Sequence, residues 1–283
     1  MTQTRQLFSG DPRLRYTDTG KGHTLLLLHG VTRAQGDWGP LLESVATDYR
    51  VVELEHRGHG GSARAESYLV TDYVGDTTRF LKNEIDGPVL ILGHSLGAMV
   101  AAAVAAELPN LISGVVMEDP PFHTMGNRIH DTNWQTLFLG MREAVKQGGG
   151  VARLAEALAA IELPTAEGGH RTLAQLRSAS SIMWSAECLQ SLDPEVLTPV
   201  IDGCWLNGFA FPEVLRHVRC PALLLQADPT AGGALVDEDA SSVIEALRFG
   251  KRIQFPGAGH QLHRDFPQSV RQTLRDFTAT LTR

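Results

Sequence analysis

The stretch Pro88-Val-Leu-Ile-Leu-Gly-His-Ser-Leu-Gly-Ala-Met-Val100 decides how the rest of the chain is to be read. An apolar run suited to a buried strand enters Gly93-His94-Ser95-Leu96-Gly97, and an alanine-rich helical run leaves it at once. A strand that passes into a helix through G-x-S-x-G is a nucleophile elbow. Glycines flank the serine because so tight a bend leaves no room for side chains, and the central residue must hold a strained backbone conformation. The turn presents a hydroxyl at the start of a helix, with the backbone N–H of Leu96 beside it to receive an oxyanion. Five such residues alone carry little weight, since a tight glycine turn with a bystander serine is common. The strand before and the helix after them give the motif its force.

Working outward, Thr24-Leu-Leu-Leu-Leu28 is a continuous apolar run, the pattern of a parallel strand covered by helices on both faces. It ends in His29-Gly30-Val31-Thr32, and Asp37 is placed to cap a helix beginning near Trp38. Arg50–Leu54 is the next strand, and residues 68–85 carry apolar side chains at helical spacing. His56 and His59 lie between them without further ligands, so they are expected in a hydrogen-bonded surface turn rather than around a metal. Beyond the elbow, Leu111–Met117 is another buried strand ending in Glu118-Asp119-Pro120-Pro121. This alternation means a doubly wound, mostly parallel sheet of the α/β class.

From Phe122 to about His217 the rhythm changes to three helical segments, near 132–147, 150–161 and 171–190, with no convincing strand between them. Residues 122–217 are therefore expected as a helical cap inserted into a core made of 1–121 and 218–283. The sheet resumes at Ala222–Gln226, followed by a helix near 237–247, a strand at Lys251–Phe255 and a last helix after His263. An exposed strand at residues 13–19 opens the chain.

Composition narrows the function. A hydrophobic fraction of 43% over 283 residues supports a full core, and a formal charge of -7 disfavours nucleic acid or an anionic membrane as partner. The N-terminus has no apolar core of signal-peptide length and no run approaches a membrane span, so a cytoplasmic protein, monomer or homodimer, is expected. Cys188, Cys204 and Cys220 are widely spaced and odd in number, which fits free thiols. No metal or cofactor is expected.

Taken together, His29-Gly30, Arg57-Gly-His-Gly-Gly-Ser62, Gly93-His-Ser-Leu-Gly97 and Gly257-Ala-Gly-His260 fall in an order that resembles the α/β-hydrolase superfamily over essentially the whole chain. Glu55 stands where that family often has Asp. The resemblance implies a Ser95 nucleophile, a general base on the loop after the last strand, and an oxyanion hole formed by the backbone N–H groups of Val31 and Leu96. His260 occupies the base position, with His263 as its nearest competitor, and His94 is expected to be a structural neighbour. Most relatives place the orienting acid after the strand that here is Ala222–Gln226, which points to Asp228. A minority, including haloalkane dehalogenases and some lactonases, place it at the end of the preceding core strand. Asp119, 24 residues after Ser95, fits the second pattern and is preferred, with Asp228 as alternative and Glu118 behind both.

A serine nucleophile implies hydrolysis of a carboxylic ester or lactone through an acyl-enzyme, and argues against the dehalogenase and epoxide hydrolase chemistry of relatives with Asp in that position. C–C bond cleavage of diketones or dienoates, amide hydrolysis, and a noncatalytic small-ligand receptor are the alternatives. Large apolar groups in and near the insertion (Trp38, Phe122, His123, Trp134 and Trp184, with Phe138, Met141 and Trp205) suggest an apolar, acid-free pocket for a hydrophobic small molecule, although each is at least as well explained as core.

Overall fold

The computed structural model describes residues 4–165 and 168–281. Its sheet is built around β3 (Thr24–Leu28), which is buried along its whole length. The unbroken leucine run has a direct cause: Leu25 and Leu27 enter the core on one face, Leu26 and Leu28 the core on the other. Strands β1 (Thr4–Phe8), β2 (Leu14–Gly20), β4 (Arg50–Leu54), β5 (Val89–His94) and β6 (Ile112–Glu118) come before the insertion. Strands β7 (Glu162–Pro164) and β8 (His170–Thr172) lie within it, and β9 (Ala222–Ala227) and β10 (Gly250–Phe255) follow. The main sheet has eight strands in the order β1-β2-β4-β3-β5-β6-β9-β10. Among the described residues of this main sheet, only the pairings of β1 with β2 and of β2 with β4 are antiparallel.

Helix α1 (Gly39–Val45) and the C-terminal helix Pro267–Leu281 cover one face; α2 (Val70–Glu84) and α3 (Leu96–Glu107) cover the other. Every residue of α3 from Leu96 to Ala105 is buried, which accounts for its having no polar stripe. Fully burying a leucine contributes roughly 1.5–3 kcal/mol, so the doubly covered strands β3, β5 and β9 hold the sheet. Edge strand β10 instead has no fully buried position and carries Lys251 and Arg252, a composition that discourages pairing with another chain.

Several expectations change. Thr4–Phe8 adds an edge strand to the expected sheet. Asp37 does not cap α1: the N-cap position is Trp38, without a side-chain cap bond, and the Asp37 carboxylate points into the interior. The insertion contains an antiparallel hairpin of β7 and β8 where no strand was expected. Around it lie α4 (Asn133–Gln147) and α5 (Gly150–Ala159). The expected helix 171–190 is two, α6 (Leu173–Leu176) and α7 (Ala179–Leu189). Two residues make the break: Arg177, extended, ends the first helix, and the Ser178 side chain accepts a hydrogen bond from the Ser181 N–H at 3.2 Å, capping the second. The break leaves Arg177 at a corner between them. All three cysteines are unpaired, and no helix among the described residues is long and apolar enough to cross a membrane.

Candidate active site

The ends of β3, β5, β6 and β10 converge at one edge of the sheet, as ligand sites of open α/β sheets do. Ser95 follows β5 with φ 55° and ψ −114°, a conformation L residues avoid. The two elbow glycines are required by backbone contact. A Cβ on Gly93 would lie 2.0 Å from the Gly97 carbonyl oxygen, and one on Gly97 would lie 2.0 Å from that of Leu28, so the elbow is pressed onto the end of β3. Its register is tied to β6 by the Ser95 N–H, which donates to the Glu118 carbonyl at 2.9 Å.

His260 and Asp119 are brought together from positions 141 residues apart, with His260 Nδ1 2.6 Å from Asp119 Oδ2. Asp119 has φ 45°, a second strained residue at a strand end, and its carboxylate is fully buried. Backbone N–H groups of Ala227, Ala234 and Leu235 also donate to it, at 3.3, 2.7 and 3.3 Å, fixing both oxygens. The other edge of His260 faces the cavity that Ser95 lines, and the Trp134 ring stands edge-on to it at 5.4 Å. No hydrogen bond joins Ser95 to His260 in this structure; such contacts are often long before substrate binds. The preceding loop is anchored by His94, whose Nε2 donates to the His260 carbonyl at 2.9 Å. Burial, then the neighbouring His260 and His263, push the His94 pKa well below the usual imidazole value, so it is neutral.

Asp228 is not near this pair. Its carboxylate accepts from the Thr230 N–H and hydroxyl at 2.8 and 2.7 Å and from the Gly257 N–H at 2.8 Å, so it closes its own turn and pins the loop that leads to His260.

The strand-end segment Gly30-Val31 is held by three imidazoles. His29 Nδ1 donates to the Gly30 carbonyl at 2.8 Å, His56 Nε2 to that of His29 at 3.2 Å, and His59 Nε2 to that of Val31 at 2.6 Å. His56 and His59 are therefore interior residues, correcting the expected surface turn, and burial depresses the pKa of both. Burial likewise takes that of His29 down to about 4. With its carbonyl engaged by His59, Val31 lines the cavity, whereas the Leu96 side chain is packed in the core and has only its N–H to offer.

Behind the cavity lies a second imidazole and carboxylate cluster that sequence reasoning missed. His263 Nδ1 is 2.7 Å from Glu118 Oε1, its Nε2 is 3.1 Å from Asp37 Oδ2, and all three side chains are fully buried. Burial alone lowers its pKa, but the Glu118 and Asp37 carboxylates outweigh that and raise it to about 9, so His263 is a buried cation. Among the described residues, Asp37, His94 and His263 have ligand atoms within 4.8 Å of one another. A protonated imidazole with both nitrogens committed has no lone pair for a metal, so His263 forms a hydrogen-bonded brace with Asp37 and Glu118 instead of a metal site.

The cavity holds about 460 Å3. Trp134, Phe138, Met141 and Trp205 line it, but Trp38, Phe122, His123 and Trp184 do not. Trp38 is buried behind it, its ring 4.2 Å from that of His263. The Trp184 Nε1–H donates to Asp37 at 2.9 Å. Phe122 and His123 pack on Phe211 with ring centroids 4.3 and 4.8 Å away. Their apolar area is consumed by core packing, which helical spacing alone does not distinguish from pocket lining. Nor is the wall the apolar, acid-free surface expected, for Arg33, Arg177, Ser178, Ser181 and Asp265 share it.

The sequence model of the alpha/beta hydrolase family matches residues 25–273. A curated relative, (E)-2-((N-methylformamido)methylene)succinate hydrolase of Acinetobacter baylyi, is 23% identical over 284 residues, covering 99% of each chain. Among solved structures, the N-formylmaleamic acid deformylase of Pseudomonas putida S16 is similar with TM-score 0.76 at 18% identity, covering 96% of this chain and 100% of that one. The enol-lactonase of Burkholderia xenovorans LB400 is similar with TM-score 0.75 at 16% identity, covering 97% and 100%. At these identities the solved structures speak for the fold.

Proposed function

The chain belongs to the alpha/beta hydrolase family, and from that premise we propose that it hydrolyses a carboxylic ester or lactone of a small molecule through an acyl-enzyme on Ser95. The observation that carries this reading is the His260–Asp119 pair at 2.6 Å, open on its far side to the cavity that Ser95 lines. His260 takes the Ser95 proton as the oxygen attacks the acyl carbon, and the carbonyl oxygen becomes an oxyanion received by the N–H groups of Val31 and Leu96. The imidazolium, oriented by Asp119, then protonates the leaving alcohol. Water, deprotonated by the same imidazole, attacks the acyl-enzyme; the acid leaves and Ser95 regains its proton. Residues 122–217 act as a cap over a core made of 1–121 and 218–283.

A second reading, hydrolysis of an amide, has the support of the relative matched over 99% of both chains, whose name carries an N-methylformamido group. The same residues serve it, with His260 protonating a nitrogen instead of an oxygen. The test is turnover of a panel of 4-nitrophenyl esters, lactones and N-acyl enamines by the wild-type protein and by Ser95→Ala. Ester or lactone turnover that Ser95→Ala abolishes supports the first reading, and turnover of the N-acyl compounds alone moves the assignment to the second. Tight binding with no turnover by either protein supports a receptor.

A further inference from the structure

Among the described residues, two guanidinium groups in the wall of this cavity form no ion pair with a carboxylate, although the buried Asp37 carboxylate attracts Arg33 from a longer distance. Arg33 lies in the same turn as Val31, its N–H bonded to the Gly30 carbonyl at 3.0 Å, and it is 7% exposed. Its side chain touches neutral acceptors: Nη1 donates to the Ser185 hydroxyl at 3.2 Å, and the Gln261 amide oxygen, once turned toward it, accepts from Nε and Nη2 at 3.0 and 3.2 Å. Arg177 stands at the corner between α6 and α7, and no hydrogen bond or ion pair joins its guanidinium to any described residue. Burial, and then the positive charge of Arg33, bring its pKa down to about 10, and no carboxylate acts against them.

The acids nearby are already engaged. Asp119 is held by His260 and three backbone amides, Glu118 by His263, and the Asp37 carboxylate by His263, Trp184 and, at 3.5 Å, Arg264. Asp265 also lines the cavity but is exposed to solvent. Two like charges facing one cavity, neither in an ion pair with a carboxylate, are costly, and the cost is relieved by a ligand that brings an anion between them. Guanidinium groups match a carboxylate in shape as well as charge, with paired N–H donors for its two oxygens. The arrangement is local, because the chain as a whole carries -7, so a cationic recess there concentrates anions that the rest of the surface repels.

We infer that Arg33 and Arg177 form a receptor for a carboxylate that the substrate carries apart from its scissile acyl group, an inference that rests on the hydrolase reading above. The substrate is thus an ester, lactone or amide of a short-chain acid bearing a second, free carboxylate. Arg177 is the primary contact, having nothing else to bind, and Arg33 stands beside the oxyanion turn to fix the distance from the carboxylate to the reacting carbon.

The experiment compares kcat/KM for mono-4-nitrophenyl esters of succinate, glutarate and adipate with the uncharged 4-nitrophenyl esters of equal chain length, after subtracting nonenzymic hydrolysis. At the best chain length the wild-type protein is expected to prefer the charged ester by roughly tenfold or more, and Arg177→Gln to cut that ratio by a similar factor, mainly through KM. Arg177→Lys restores part of it, and Arg33→Gln lowers it as well. A wild-type ratio at or below one throughout the series overturns the proposal, as does a ratio that Arg177→Gln leaves unchanged. Calorimetric titration of the three free diacids into Ser95→Ala separates this inference from the hydrolase reading. If no ester is turned over, hydrolysis fails as a function; diacid binding weakened about tenfold by Arg177→Gln still upholds the carboxylate site, and absence of binding ends it.

Discussion

Two imidazoles three positions apart, His260 and His263, meet two carboxylates adjacent in sequence, Asp119 and Glu118, and the resulting pairs behave in opposite ways. His260 has one nitrogen on Asp119 and its other edge on an open cavity. His263 has both nitrogens on acids, Glu118 and Asp37, and no exposure at all. The first arrangement leaves a place for a proton to arrive and depart, whereas the second traps one. Residue type is the same in both, so what separates a group able to do chemistry from a structural cation is how many of its nitrogens are spoken for and whether one faces solvent.

The comparison breaks most visibly at the acids. In the proposed mechanism Asp119→Asn leaves the geometry nearly intact but removes the charge that stabilises the imidazolium, so kcat should fall by roughly 10³–10⁴. Asp228→Asn, which touches only Thr230 and Gly257, should cost less than about tenfold. Ester turnover at matched circular dichroism checks both, and the reverse order would make Asp228 the orienting acid.

The second imidazole should show itself in stability. Because the folded-state pKa of His263 is raised to about 9 from 6.5, its contribution is complete below about pH 6.5 and disappears as pH climbs through about 9. His29, depressed to about 4, works on the other side: its contribution is present above about pH 6.5 and is lost as pH falls toward 4. His263→Gln removes the cation from between two buried carboxylates and should cost roughly 3–5 kcal/mol at pH 6.5, with most of the difference from wild type gone by pH 9.5. Urea unfolding of both proteins at the two pH values measures it. A difference that stays constant with pH would mean that His263 is neutral and its role is packing alone.

Much of this contrast was not legible in the chain. The sheet and the elbow follow from local signals, an unalternating leucine run and flanking glycines, whereas the placing of His260 and Asp119 beside Ser95 was implied only by the resemblance to the α/β-hydrolase superfamily. The brace of Asp37, Glu118 and His263 has no such signal, because Asp37 and Glu118 lie 226 and 145 residues from His263 along the chain and none belongs to a periodic pattern. Asp37 even presents as a helix cap, a reading local in character that a distant cation overrides. The same limit governs the pocket. Trp134 and Trp184 have the same composition signal, yet one faces His260 and the other spends its N–H on Asp37. The arginines escape notice because an unpaired charge is recognised only once its surroundings are known.

The smallest expected effect lies at the Gly30-Val31 turn, proposed above to receive the oxyanion, where histidines clamp the backbone. His59 holds the Val31 carbonyl at 2.6 Å and its own Nδ1 is 2.8 Å from the Arg57 carbonyl. A neutral imidazole has a single N–H, here given to the Val31 carbonyl, and a glutamine amide in its place reaches that oxygen less well; a lost neutral hydrogen bond is worth about 1 kcal/mol. His59→Gln should therefore lower kcat about fivefold while KM stays within about twofold, since a loosened Val31 N–H weakens the oxyanion contact more than substrate binding. A kcat equal to wild type in a folded protein would mean that the turn keeps its shape through His29 and His56 alone. A rise in KM at constant kcat would instead place the effect of His59 on substrate binding.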